Sequence, residues 1–378
     1  MDLSPEDALR VNVLLAGNLK AVRIDESRMT LHALSDKGEA SIQLTPNCRD
    51  ESYLRRVRET LSSHVLGSPG GYPVYLKRWT RMGQARDGIL ESLLLLGEPE
   101  AVVAVVNATG ITDELARRAW WAVQTSDNAR CMLQQEAVVK GKMGPVLAEF
   151  LVEFLPFEEE PRDQIRSVRL VLQESLVDDA ERERLWEKGR HRNALQVGFL
   201  QAVPDDLPDA LPPHPGIQQA QEVLEGLCAS GNPFARHYLR LLGSAGQTFL
   251  ATVERIMKKP SNQDVMVELM HAMAAYNRSL PLPEGVICDI DSIAPSVDAL
   301  LDGADARDPA AGQALAALLQ VLPQSRQEIH AMLALAMLDE PVLNPVFSKT
   351  DAIGTVMRKK LKPVTDPVQA QISILSKH

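Results

Sequence analysis

The stretch GSPGGYP, residues 67–73, places three glycines and two prolines before a run of aromatic and basic residues. Glycine-rich loops can hold phosphates through backbone N–H groups, but a P-loop needs GxxxxGK followed by Ser or Thr after a strand. That pattern does not follow here, and the Gly141-Lys142 pair elsewhere continues with Met143 instead of a hydroxyl residue. The composition favours a tight turn at residues 67–73, because glycine admits positive φ and proline fixes the adjoining angles.

Basic and aromatic side chains are concentrated around this predicted turn. Residues 49–86 contain eight basic and three acidic residues, in a chain whose net charge is −10. Tyr72, Tyr75 and Trp79 are interleaved with the cations. Such a patch can bind a protein with an acidic rim, stack on RNA bases, or simply pack its rings and leave its charges in solvent. The candidate partner-binding residues are Arg55, Arg56, Arg58, Tyr75, Lys77, Arg78, Trp79 and Arg81.

A second group of cations and rings is predicted near Trp121. Helical spacing places Trp120 on the inner face, whereas Trp121 lies further outward, one turn after Arg117 and Arg118. This spacing predicts either a cation–π contact of Trp121 with one of these arginines or coverage of that face by another helix.

Residues that could catalyse a reaction are present, but their spacing matches no catalytic motif. Residues 286–292, VICDIDS, are similar to the nucleophile strand of haloacid-dehalogenase-like phosphatases, yet helices are predicted on both sides, which favours a helix-capping loop. The chain contains neither a GxSxG elbow nor a histidine pair with metal-ligand spacing. We therefore expect no cofactor and no metal. An enzyme whose catalytic groups converge only in space is an alternative.

Cysteine usage and hydropathy indicate a cytoplasmic protein without a membrane partner. Cys48, Cys131, Cys228 and Cys288 are widely separated and form no CxxC pair, so we expect reduced, mostly buried thiols. The N-terminus MDLSPEDALR lacks the basic and apolar regions of a signal peptide. No apolar run approaches the roughly 20 residues that a membrane span requires.

The predicted secondary structure changes from strands to helices near residue 50. Over residues 20–45, apolar and polar residues alternate around a DKG turn at residues 36–38, which predicts a small antiparallel sheet of two or three strands. Beyond residue 50 the apolar period becomes 3.6, which predicts helices. The first of these helices has an apolar stripe formed by Tyr53, Leu54, Val57, Leu61 and Val65.

From residue 86 onward the chain reads as consecutive short helices. The predicted fold class is mainly α: an irregular HEAT-like α-solenoid or helical array with a small N-terminal antiparallel β-sheet. A compact helical bundle is the alternative. The apolar stripe of Met266, Leu269, Met270 and Met273 is interpreted as core, and the tail with Pro363 and Pro367 is expected to fray.

Five prolines within residues 204–216 exclude a helix there, because each removes a hydrogen-bond donor and restricts the preceding residue. This stretch is predicted to be a linker, with a long loop inside one array as the alternative. The predicted organisation is an α+β segment at 1–85, a helical array at 86–203, a Pro-rich linker at 204–216 and a C-terminal helical segment at 217–378.

Several segments resemble a known family: RIDESRMTLHALSDKGEA, CRDESYLRRVRE, LGSPGGYPVYLKRWTRMGQ, LLLLGEPEAVVAVV and GPVLAEFLVEFLPFEEEP. They are similar to DsrS, an accessory protein family encoded with the reverse dissimilatory sulfite reductase system of sulfur-oxidising bacteria. The resemblance covers most of the chain and is strongest for residues 1–160. It implies a soluble cytoplasmic protein without a known cofactor that supports oxidation of stored sulfur. It assigns a role to no individual residue.

Three functions follow as hypotheses. The first is a non-enzymatic accessory protein that regulates or assembles the sulfur-oxidation machinery through protein partners, including those of the sulfite reductase system. The second is an RNA-binding post-transcriptional regulator that uses the patch at residues 49–86. The third is an enzyme with a dispersed site.

Overall fold

The computed structural model describes most of the chain, namely residues 3–67, 87–174, 176–283, 287–303, 308–349 and 352–376. Within these ranges the protein is mainly helical, with a three-stranded antiparallel sheet near the N-terminus, so the predicted class is confirmed. The predicted turn at residues 67–73 lies outside the described ranges, apart from Gly67. Five candidate partner-binding residues also lie outside them: Tyr75, Lys77, Arg78, Trp79 and Arg81.

Contacts between residues divide the chain into two compact units. The first unit comprises Met1–Pro156 and Gln173–Val177, and the second comprises Phe157–Leu172 and Asp178–His378. The Pro-rich stretch at 204–216 therefore lies inside the second unit. The predicted domain boundaries differ from this division and stay predictions about which segments fold independently.

The first unit opens with a capped helix, α1 (Pro5–Leu15). Ser4 Oγ accepts the backbone N–H of Asp7 at 3.2 Å, and Pro5 occupies the first turn, where its missing N–H costs nothing. Val11 and Leu15 are buried in the core. Capping and one apolar stripe thus define this helix.

Three strands follow and form the meander β1 (Leu19–Asp25), β2 (Thr30–Ser35) and β3 (Gly38–Gln43). The turn between β2 and β3 lies where the DKG sequence predicts it, and Gly38 has a positive φ of 108°. A glycine without a Cβ adopts this angle at little cost. The predicted sheet and its turn are confirmed.

The sheet packs on α2 (Asp50–Leu66), as so small a sheet must. Period 3.6 directs one stripe of α2 inward, and Gly67 ends the helix with a left-handed φ of 70°. Val65 of the predicted stripe is only partly buried. The shared core contains Val11, Val22, Leu31, Ala33, Tyr53, Leu54, Val57 and Leu61.

Further helices complete the described part of the first unit: α3 (Asp87–Leu93), α4 (Pro99–Val106), α5 (Asp113–Ala122), α6 (Ser126–Met132), α7 (Glu136–Val139) and α8 (Met143–Phe154). The Asp113 carboxylate caps α8 from outside that helix, because it accepts the backbone N–H groups of Lys142 at 3.1 Å and Met143 at 2.9 Å. A Cβ at Gly141 would lie 2.1 Å from this carboxylate, so glycine permits the approach.

The described helices of the second unit are α9 (Pro161–Val171), α10 (Asp179–Gly189), α11 (Asn193–Ala202), α12 (Ile217–Ala229), α13 (Pro233–Leu242), α14 (Ser244–Lys258), α15 (Gln263–Asn277), α16 (Ile293–Leu301), α17 (Pro309–Val321), α18 (Arg326–Ala336), α19 (Asn344–Phe347) and α20 (Gly354–Leu375). Short 3₁₀ turns join several of them. α15 carries the predicted Met stripe, which is core: Met266 and Met270 are fully buried.

The second unit is closed by contacts between helices that are distant in sequence. α15 contacts α9, α11 and α18, and α14 contacts α20. In a solenoid each repeat contacts only its neighbours. The HEAT-like arrangement is therefore not confirmed.

The Pro-rich stretch is helix-free, as predicted, and three of its carboxylates are bound to arginines. Asp205 binds Arg240, Asp206 binds Arg182 and Asp209 binds Arg190. Leu207, which lies between Asp206 and Asp209 in the sequence, is buried. In the second unit this stretch is a packed loop between α11 and α12, and its assignment as a linker or as a long loop inside one array stays a prediction.

The C-terminal tail is a 22-residue helix, so the prediction that it frays is wrong. Pro363 and Pro367 lie on its exposed side, whereas Leu361, Val364 and Val368 belong to a buried stripe. Burial of the stripe outweighs the hydrogen bonds that proline removes. The positions of the prolines in the sequence do not report the stabilisation that comes from burying this stripe.

Candidate partner-binding site

The three arginines of α2 do not share one face. Arg55 is exposed, Arg56 is half-buried on the side of α1, and Arg58 is half-buried and binds Glu26 after β1. Consecutive positions on a helix differ by about 100° in direction, which separates Arg55 from Arg56. Of the predicted cluster, the described residues therefore bring only Arg56 into a concave surface.

That concave surface is a groove of about 360 Å³ between α1 and α2, which we call the α1–α2 groove. Its described lining combines apolar, polar and charged side chains. The lining residues are Leu3, Ala8, Asn12, Arg56, Glu59, Thr60 and Ser63. A groove between two helices with a mixed lining is suited to hold an amphipathic helix.

Two large apolar side chains are exposed on α1 next to the groove. Leu9 is 66% exposed and Val13 is 67% exposed, and they lie one helical turn apart. Isolated exposed apolar residues are ordinary, whereas a pair aligned beside a groove forms a contact surface. We call Leu9, Val13 and the groove together the α1–α2 face.

Arg56 supplies the electrostatic character of the groove. Its Nε is buried and has no hydrogen-bond partner within the described residues. A buried donor without an acceptor is unfavourable to the fold. Glu59 lies on the same lining, so the groove presents one cation and one carboxylate.

A buried polar network fixes α1 against α2 beneath this face. The Tyr53 hydroxyl donates to Asp7 Oδ2, which also accepts the backbone N–H of Thr45 at 2.8 Å. Burial opposes ionisation of Asp7, but the hydrogen bonds from Tyr53 and Thr45 outweigh it and lower the pKa of this carboxyl. Burial first, and the hydrogen bond to this carboxylate second, raise the pKa of Tyr53.

The predicted cation–π pair at Trp121 involves a different arginine. The guanidinium 4.8 Å from the Trp121 ring centroid belongs to Arg23 of β1. Arg117 and Arg118 instead bind Glu114. The hydrogen bond from Arg117 contributes most to lowering the pKa of Glu114 to about 2, and the hydrogen bond from Arg118 adds to this effect. The sequence placed Trp120 inward correctly, and it is 7% exposed. Because Arg23 and Trp121 are 98 residues apart, no short-range sequence pattern predicts their contact.

The second unit contains a buried titratable cluster around His237 and Tyr276. His237 is 2% exposed, and its Nε2 lies 2.8 Å from Asn277 Oδ1, so this nitrogen donates. Burial lowers the pKa of His237 to about 4. Arg240 lies 3.7 Å above the Tyr276 ring, and Phe249 stacks on that ring at 3.9 Å. Because His237 and Tyr276 are buried, this cluster is closed to a substrate.

The remaining chemical candidates are explained by local structure. Asp289 accepts the backbone N–H of Asp291 ahead of α16, which is the predicted capping loop. Within the described ranges no group of three or more His, Cys, Asp or Glu residues could hold a metal ion. Cys48, Cys131 and Cys228 are half-buried and Cys288 is exposed, so the prediction of mostly buried thiols is wrong. The described helices are each too short or too polar to cross a membrane.

No family model matches the chain, and comparisons with curated proteins and with solved structures find no match. The geometry of the first unit therefore carries the functional conclusion. Sequence analysis overlooked Leu9 and Val13. The available signal was that α1 has apolar residues on more than one side, since the buried stripe needs only Val11 and Leu15.

Proposed function

We propose that this chain is a non-enzymatic accessory protein that binds a partner protein on the α1–α2 face and supports cytoplasmic sulfur oxidation. The observation that carries the interaction is the pair Leu9 and Val13, each about two-thirds exposed beside a groove that contains Arg56. The link to sulfur oxidation is supported by the resemblance of several sequence segments to DsrS. It makes proteins of the reverse sulfite reductase system the first partners to test.

The α1–α2 face fits an amphipathic helix of a partner. Apolar side chains of such a helix would cover Leu9 and Val13, and a carboxylate would reach Arg56. Apolar anchors in the centre of an interface commonly contribute most of its binding free energy, whereas a rim charge contributes orientation. The partner helix should therefore be apolar on one side with an acidic residue at its edge.

The charges on the described part of the patch at residues 49–86 favour a protein partner over RNA. α2 carries three arginines and three carboxylates, and Arg58 is already bound to Glu26. An RNA-binding surface needs several cations that are free to contact phosphates. The cations that would complete such a surface, Lys77, Arg78 and Arg81, lie outside the described residues.

The test is affinity capture. An extract of sulfur-oxidising cells is passed over the immobilised full chain, and both the bound proteins and the bound RNA are identified. The double variant Leu9→Glu/Val13→Glu should reduce the recovered partner by about tenfold or more, because it places two charges in an apolar contact. Val356→Glu is the matched control, since Val356 is an exposed apolar residue on α20, and it should leave recovery unchanged. Far-UV circular dichroism checks that the variants fold.

Two results would contradict the proposal in separable ways. Undiminished capture by the folded double variant would exclude the α1–α2 face. Specific partners unrelated to sulfur oxidation would exclude the metabolic assignment alone. RNA recovery that falls steeply with salt and is lost in a Lys77/Arg78/Arg81→Ala triple variant would establish the RNA hypothesis instead, because phosphate contacts release counterions.

A further inference from the structure

A cleft in the second unit has the chemistry of a small-molecule site. It measures about 390 Å³ and lies between α13, the stretch at 281–283, α16 and α17. This volume falls within the roughly 300–1,000 Å³ typical of small-molecule sites. Its described lining is Phe234, Pro281, Leu282, Pro283, Leu300, Gly303, Asp308, Pro309, Ala311, Gly312, Gln313, Leu315 and Ala316.

Among the described residues, the lining is apolar except at two positions. Phe234 and Leu315 are 2% and 4% exposed and form buried walls. Asp308 and Gln313 are the polar side chains among the described lining residues, and Asp308 is the charged one. An apolar cavity with few polar groups selects an apolar ligand and fixes its orientation.

Gly312 lies in the wall of the cleft that α17 forms. It lies in the interior of that helix, where glycine is among the least favourable residues. A Cβ at this position would meet no atom within 4 Å, so neighbouring atoms do not require glycine. Its φ is not positive either, so the backbone does not require it. Gly312 lines the cleft, unlike other open glycines such as Gly226, so a larger side chain at this position has room to enter the cleft.

We propose that this cleft binds a small apolar molecule that carries an N–H or ammonium donor, with the donor directed at Asp308. The carboxylate is held in place because its Oδ1 accepts the backbone N–H groups of Ala310 at 3.0 Å and Ala311 at 3.2 Å. A fixed negative charge at the rim attracts a donor and repels an anion. The apolar walls receive the rest of the molecule.

Two fluorescent probes with the same ring system test this selectivity. N-phenyl-1-naphthylamine is neutral and has an N–H donor, and 1-anilinonaphthalene-8-sulfonate adds an anionic group. The full chain should bind the neutral probe saturably at one site and at least about tenfold more tightly than the anionic probe. Absence of saturable binding of the neutral probe, or equal affinity for both probes, would overturn the proposal.

Variants then locate the binding site. Gly312→Leu should abolish binding of the neutral probe by filling the cleft. Gly226→Leu is the matched control, because Gly226 is an interior glycine of α12 with equally open surroundings, and it should bind the probe as the wild type does. Unchanged probe affinity in folded Gly312→Leu would overturn the assignment to this cleft.

Asp308→Asn tests the charge without removing the helix cap, since Asn also caps helix N-termini. It should reduce the preference for the neutral probe over the anionic probe to about threefold or less, because only the carboxylate repels the sulfonate. A preference that stays at tenfold in this variant would show that Asp308 does not direct the ligand.

Discussion

The Tyr53 hydroxyl on α2 donates a hydrogen bond to the buried carboxylate of Asp7 on α1. This contact joins the two helices of the α1–α2 face beneath the exposed pair Leu9 and Val13. The apolar stripe of α2 buries Tyr53, while its hydroxyl reaches the N-terminal turn of α1. The contact ties together the two helices that form the groove, which reduces the ordering cost when a partner binds.

Tyr53→Phe should lower the free energy of unfolding by about 1–3 kcal/mol at neutral pH, because Asp7 stays buried with one donor fewer. The pKa of Asp7 is lowered in the folded state, so its contribution is present above the unfolded pKa and lost as pH falls through the folded pKa. The difference between wild type and variant should therefore shrink in acid. Urea denaturation at neutral and at acidic pH measures it. An equal difference at both would show that the hydroxyl acts through packing alone.

His237 should make the second unit less stable as pH falls from 6.5 towards 4. Burial lowers its folded pKa from 6.5 to about 4, so between these values the unfolded state binds the proton and the folded state does not. The loss amounts to about 3 kcal/mol. His237→Gln keeps a donor near Asn277 and should flatten this dependence, although the variant is less stable at neutral pH. Denaturation followed by circular dichroism across this range is the measurement, and parallel pH profiles of wild type and variant would contradict the assignment.

We expect each of the two Asp113 carboxylate oxygens to contribute separately to stability, because they accept two different N–H groups at the start of α8. Asp113→Ala removes both acceptors and should cost about 1 kcal/mol. Asp113→Asn retains one acceptor and should cost about half as much. Thermal unfolding of both variants gives the comparison. A larger loss for Asn than for Ala would argue against capping.

Pro363→Ala should stabilise the protein by about 1–3 kcal/mol, because it restores a helical hydrogen bond on the exposed side of α20. Pro309→Ala is the control, since Pro309 opens α17 and its N–H would have no helical acceptor. The control should change stability by less than about 0.5 kcal/mol. Urea denaturation compares them, and a destabilised Pro363→Ala would mean that the proline shapes the packing of α20.

Short-range sequence patterns were enough to predict the local elements. Alternation around the DKG turn predicted the sheet, Ser4 and Pro5 predicted the start of α1, and period 3.6 predicted the buried stripe of α2. These signals are reliable because caps, turns and periodicity act within a few residues of the chain.

Which side chains meet depends on tertiary packing. Arg23 reaches Trp121 across 98 residues, and the stripe beside Pro363 is buried by other helices. The exposure of Leu9 and the opening of the cleft at Gly312 likewise depend on neighbouring elements. The physical reason is that burial and pairing are set by distant segments, whose approach local sequence preferences do not encode.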